Sequence, residues 1–224
     1  MPQIFGWEHL TYVAIVTVVM ISLFYWMQSF DEAKNQRMIK ITAVLLLLAI
    51  IWNRVSITQK NGITALLPDS YCGTSSLCLA LITLTLRKDH PALHSVAYVG
   101  LIGGFLTLIY PDFIGQHHSI FYPMTISGLL HHTISVFLVM IMLKTGYLKP
   151  KLKKWYLLPI GLSFYLSYGI FLITIVGLND AFYIYQPVLE NTPFNWFVLG
   201  IILLPTHAVI LYLWERVEKL RLNR

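Results

Sequence analysis

The chain has 224 residues, of which 57% are hydrophobic and only 12% charged, and its formal net charge is +6. Soluble domains carry about 25% charged residues, so this composition excludes an ordinary soluble protein and points to an integral membrane protein. The basic residues sit at the ends of apolar segments, as orientation signals do, which argues against a nucleic-acid partner.

A spanning helix needs roughly 20 apolar residues, so the length accommodates seven with short connections. Seven apolar segments follow in order: Leu10–Gln28, Ile39–Trp52, Leu67–Leu86, Leu93–Ile109, Phe121–Leu143, Tyr156–Leu178 and Trp196–Trp214. They predict an all-α, polytopic membrane protein: a single bundle of seven transmembrane helices forming one domain over residues 1–224. The first segment has neither a basic leader nor a small-residue cleavage site, so it reads as a retained helix. The second is short, and it extends towards Ile57 if Asn53 and Arg54 face inward or snorkel.

The third segment opens on the polar stretch LLPDSYCGTSS, Leu66–Ser76. A helix starting at Pro68 puts Asp69, Cys72 and Ser76 on one face, because residues three and four apart are neighbours. Cys72 then lies about five residues inside the helix, ~8 Å below its end. Cys78, between Leu77 and Leu79, reads as packing. Six residues apart in one helix, the two cysteines point about 120° from each other and are not expected to form a disulfide.

Segment four carries Gly100, Gly103 and Gly104, which permit close helix packing or a kink. In segment five His131 and His132 fall near the bilayer midplane, where an ionisable residue is a functional candidate by default. Segment six runs into a loop begun by Asn179 and Asp180. Segment seven brings His207 to a depth similar to that of the other two histidines, and with no Lys between Trp196 and Trp214 it offers no retinal Schiff-base site.

All 16 Lys and Arg except Arg54 and Lys60 fall in alternate connections. The positive-inside rule therefore predicts the N-terminus outside and the C-terminus cytoplasmic in a cell membrane. The loops Tyr110–Ser119 and Leu178–Pro193 then face outward, together with the polar start of helix three. The run Lys149–Lys154 is expected to lie against anionic headgroups, each charge worth ~1 kcal/mol there.

A thiol in a membrane helix ordinarily packs as a small hydrophobe. Cys72 differs in its company, and a nucleophilic Cys also needs a base, commonly His, within hydrogen-bond reach. Neither the pair His117–His118 nor the pair His131–His132 has a chelating spacing, since adjacent helical residues point about 100° apart. No metal and no other cofactor is expected. Deep His and Asp side chains also make proton relays, so the alternative is a small-molecule or proton-coupled transporter with an outward-facing polar cavity. No internal repeat of the kind many transporters use is visible.

The motifs LPDSYC (Leu67–Cys72), GGFLTLIYPDF (Gly103–Phe113), LLHH (Leu129–His132) and NDAFYIYQP (Asn179–Pro187) span helices three to six. On them the chain resembles the YwaF-type bacterial membrane proteins, which are related to a mammalian seven-helix transmembrane phospholipid acyltransferase family. The resemblance implies a seven-helix fold and, from the mammalian relatives, acyl transfer between membrane lipids that needs a Cys and a His. Carried over, Cys72 is the nucleophile and either His131 or His132 the general base. Asp69, Ser76, His207 and Asn179 are assigned to a supporting polar pocket.

Overall fold

The computed structural model describes residues 1–188 and 191–222, with side chains as far as 216. The basic side chains of Lys219 and Arg221, and Arg224 itself, lie outside this description, as do Leu189 and Glu190 in the sixth loop. Seven α-helices make up the described residues: α1 Trp7–Trp26, α2 Glu32–Asn61, α3 Tyr71–Thr85, α4 Pro91–Ile109, α5 Pro123–Lys144, α6 Leu157–Phe171 and α7 Trp196–Leu222. A π-helical turn, Leu172–Val176, prolongs α6 and ends at Gly177, whose φ of 84° suits glycine. The all-α bundle expected from the hydropathy pattern is present, and six of its helices are long and apolar enough to cross a membrane.

The exception is α3. With 15 residues it rises only ~22 Å against a hydrocarbon core of about 30 Å. It begins at Tyr71 and not at Pro68, because Ser70 takes the capping position and its hydroxyl accepts from Gly73 N–H. Asp69 is therefore outside the helix and off the face shared by Cys72 and Ser76, and Cys72 is the second helical residue. Helix α2 is longer than expected. Asp31 caps it by accepting from Lys34 N–H at 2.7 Å, and at its far end Asn53 turns inward, 4% exposed, extending the helix past Trp52.

Cross-bundle bonds fix the alternating direction of the helices. Lys40 near the start of α2 donates to the carbonyls of Thr83 and Leu84 at the end of α3. Lys144 at the end of α5 donates to Phe24 O at the end of α1, 2.6 Å away. Both cations sit on the negative ends of helix dipoles. Every described Lys and Arg side chain except Arg54 and Lys60 thus gathers at one end of the bundle, the basic end. The loop 110–122 and the described residues 177–188 and 191–195 lie at the other.

Helix α5 is the axis: 72% of its apolar window is buried, against 6% for α1 and 11% for α7, which present apolar side chains outward. It packs chiefly on α2 and α4, with α3 between those two and α6 on α4. Glycines set these distances. A Cβ on Gly104 meets His132 O at 3.1 Å, and one on Gly161 of α6 meets Ser95 O of α4 at 2.5 Å. Helix α1 is held by His9, whose Nε2 donates to Leu108 O at 2.8 Å.

At the basic end Asp89 ties two connections together. Its carboxylate accepts from Lys149 N–H at 3.0 Å, Lys154 Nζ at 2.6 Å and His94 Nε2 at 2.8 Å. Burial pushes the Asp89 carboxyl up, but the bonds from Lys154, Lys149 N–H and His94 outweigh it, so the group sits below the usual carboxylate range. A depressed carboxyl contributes stability above its unfolded-state pKa and loses it as pH falls through the folded one. Asp89→Asn is thus expected to lower the melting temperature at neutral pH, with the gap from wild type closing below the ordinary carboxylate range in a pH series of melts.

Gly161→Ala drives a methyl into the backbone of Ser95, which has no side-chain freedom with which to yield, and should cost about 1–3 kcal/mol. Gly200→Ala on α7, where a Cβ meets nothing within 4 Å, should leave thermal stability in detergent unchanged or slightly raised.

Candidate functional site

At the end opposite the basic one, the helix ends and two loops enclose a cavity of about 220 Å³. Helix α2 contributes Asn53, Arg54 and Ile57; the start of α3 gives Ser70, Cys72 and Gly73; Thr107 comes from α4. Met124, Gly128, His131 and His132 of α5 form one wall, and Asp112, Phe113, Gln116 and Tyr183 come from the loops.

Three of the residues singled out from sequence meet here. Cys72 faces α4, its Sγ 4.0 Å from Thr107 Oγ1. Gly103 makes that approach possible, for a Cβ in its place lies 2.7 Å from the sulfur. His131 is buried, and its Nδ1 is 3.2 Å from Ser76 Oγ on α3. That bond fixes the ring, and His131 lines the cavity. The His132 ring lies 4.1 Å from that of His131 and stacks on Phe113 at 6.3 Å. The angle of 100° between adjacent helical positions suggested a wider separation than the side chains adopt. His132 Nδ1 is buried with no hydrogen-bond partner in the described structure.

The other residues assigned to the pocket from sequence fall elsewhere or act differently. Ser76 supports the site directly through His131. Asp69 is half-exposed and pairs with Arg54 at 3.5 Å, so it is set against the cavity's cation and not against the thiol. Its carbonyl accepts from Phe182 N–H at 2.8 Å, pinning the loop before α7 over the start of α3. His207 does not join the cavity. It is buried against the Tyr98 ring at 4.5 Å, on the side of α4 that faces His94 and the basic end. Asn179 is exposed and does not line this cavity, while its neighbour Asp180 closes a turn by accepting from Tyr185 and Gln186 N–H.

Sequence reasoning passed over several residues that the fold brings in. Asn53 Nδ2 donates to Ser127 Oγ at 3.1 Å and to Met124 O at 3.3 Å, and its Oδ1 accepts from Arg54 at 3.2 Å. A polar pair interrupting an apolar span was the available signal. Tyr183 reaches the cavity because Phe182 and Tyr183 both adopt positive φ, 55° and 59°, held by Phe182 N–H on Asp69 O and Trp196 N–H on Tyr183 O. Burial pushes the Tyr183 phenol up to about 12, so it stays a neutral donor. No sequence pattern announced that loop conformation.

The sequence matches the family model described as the TMEM164 family over residues 4–214. No curated protein and no solved structure matches the chain.

Ser76→Ala leaves the buried Nδ1 of His131 without its partner and should cost about 1–3 kcal/mol. Ser163→Ala, whose exposed hydroxyl bonds only to Pro159 O within its own helix, should be neutral in the same thermal melts.

Proposed function

The chain belongs to the TMEM164 family, and we propose that it is a lipid-modifying enzyme that moves or hydrolyses acyl chains through Cys72. The observation that carries this is the shared cavity: one thiol and two imidazoles line it, and Ser76 fixes one of those rings through Nδ1. The resemblance to the YwaF-type proteins and their acyltransferase relatives supports the same assignment. At about 220 Å³ the cavity is below the roughly 300–1,000 Å³ that encloses a drug-sized ligand. It suits the ester and headgroup region of a lipid whose chains remain in the bilayer.

No hydrogen bond joins Cys72 to either imidazole in the described structure, so the substrate or a water bridges them. We assign His131 the tautomer that donates Nδ1–H to Ser76, so that the Nε2 lone pair acts as base. It takes the proton from Cys72 Sγ, and the thiolate attacks the ester carbonyl. His131 returns that proton to the departing glycerol oxygen as the ester C–O bond breaks, leaving an acyl thioester on Cys72. A second lipid hydroxyl, or water, then gives its proton to Nε2, attacks the thioester and releases the thiol, which recovers the proton. His132 offers a ring N–H to the oxyanion formed in both halves.

The clustering of the described lysines and arginines other than Arg54 and Lys60 at the other end supports an outward orientation for the cavity by the positive-inside rule, facing the outer leaflet of a cell membrane.

The purified protein incubated with a phospholipid carrying a labelled acyl chain should acquire a hydroxylamine-labile label. Cys72→Ala should abolish it, and His131→Ala should slow its formation by about 100-fold or more. Labelling that persists in folded Cys72→Ala removes Cys72 from the mechanism.

A further inference from the structure

Arg54 is out of place on the principles that govern the rest of the bundle. Its side chain is 12% exposed on the wall of the cavity, near the end of a membrane-spanning helix. A cation at such a position is expensive unless paired. Its pairing is weak. One terminal nitrogen lies 3.5 Å from Asp69, itself 49% exposed, and the other bonds a neutral amide, Asn53 Oδ1, at 3.2 Å. Strong charge-assisted bonds run at about 2.7–2.9 Å. Nε is buried with no partner at all in the described structure. A guanidinium has five N–H donors in a planar fork suited to two oxygens of one oxyanion, and most of these remain uncommitted.

The surroundings favour an anion. Helix α3, 15 residues long, starts at the same cavity with Ser70, Cys72 and Gly73 on its wall, so the positive end of its dipole adds to the Arg54 charge. Tyr183 on the same wall carries a phenol O–H, and the Gln116 amide there is shared with Thr125 Oγ1. The one carboxylate on the wall, Asp112, is exposed to solvent.

We propose that Arg54 is the phosphate-binding residue of this cavity and that it anchors a phospholipid through its phosphodiester oxygens. This deepens the acyl-transfer reading and rests on it for the substrate class. The phosphate on the fork of Arg54 sets the ester beside Cys72. Asp69 acts as a surrogate partner that holds the guanidinium in place and yields it to the phosphate. The chemistry recognised is a phosphate oxyanion, which a lipid headgroup or free phosphate supplies.

The test is binding of three probes to the full chain in a neutral detergent, by titration calorimetry: lysophosphatidylcholine, a monoacylglycerol of the same chain length, and inorganic phosphate. Arg54→Gln should weaken lysophosphatidylcholine by about tenfold or more, the worth of one charge-assisted hydrogen bond, and leave monoacylglycerol unchanged. Asp69→Asn, which keeps Arg54 and removes its competing carboxylate, should tighten lysophosphatidylcholine severalfold. Phosphate that fails to compete identifies the lipid as the source, and phosphate that competes equally, in an Arg54-dependent way, identifies free phosphate and overturns the lipid assignment. Equal lysophosphatidylcholine binding by wild type and Arg54→Gln overturns the proposal. If Arg54→Gln does not yield monodisperse protein, unchanged or weaker binding by Asp69→Asn overturns it instead. The Cys72 mechanism stands or falls separately, on the acyl label. Arg54-dependent binding without a label on wild-type protein refutes acyl transfer and leaves the phosphate site intact.

Discussion

A polar group placed among membrane helices finds no water, so it has to be satisfied by another part of the protein. In this bundle that requirement decides which helices meet. Ser127 and the carbonyl of Met124 on α5 receive Asn53 of α2, and His131 of α5 meets Ser76 of α3. Gln116 Nε2 reaches Thr125 Oγ1 at 3.0 Å, and Tyr12 of α1 reaches Thr133 at 2.9 Å. Helix α5 is the common member of these pairs. It is therefore the buried axis on which the others are hung, and the histidines it carries are held far from lipid.

The same constraint separates the two ends of the molecule. At the basic end, charges are matched: lysines lie on helix C-terminal carbonyls, and Asp89 collects a backbone N–H, an ammonium and an imidazole. At the cavity end the polar atoms are incompletely matched. Arg54 Nε and His132 Nδ1 are buried without partners in the described structure. Buried polar groups left unpaired cost about 1–3 kcal/mol each, so each such group calls for an explanation.

Small residues make that site close enough to be a site. Gly103 lets Cys72 Sγ lie against α4, Gly104 brings α4 onto the backbone of His132, and Gly128 admits the Phe113 ring that stacks on His132. Each glycine had an ordinary role open to it in helix packing, and each clears space beside Cys72 or His132. Ser70 acts comparably by capping α3. It moves the helix start to Tyr71, puts Cys72 in the first turn, and leaves Asp69 free to pair with Arg54.

What the sequence determined by itself was the number and order of the helices, because hydropathy is a local property that each segment carries whatever its neighbours do. The gathering of lysines at alternate connections was equally legible, and so was the candidacy of Cys72, His131 and His132, since polar atoms in apolar runs stand out one at a time. Tertiary structure alone decided which of these polar atoms share a cavity. His131 and Ser76 are 55 positions apart and Asn53 and Ser127 are 74 apart, and their meeting depends on the rotation of each helix about its axis. His207 had the same apparent depth as the other histidines, yet α7 lies at the periphery and turns it onto Tyr98. Depth along a helix is written in the chain, whereas the neighbour a helix faces is fixed only when all the buried polar groups and close-packed glycines are satisfied together.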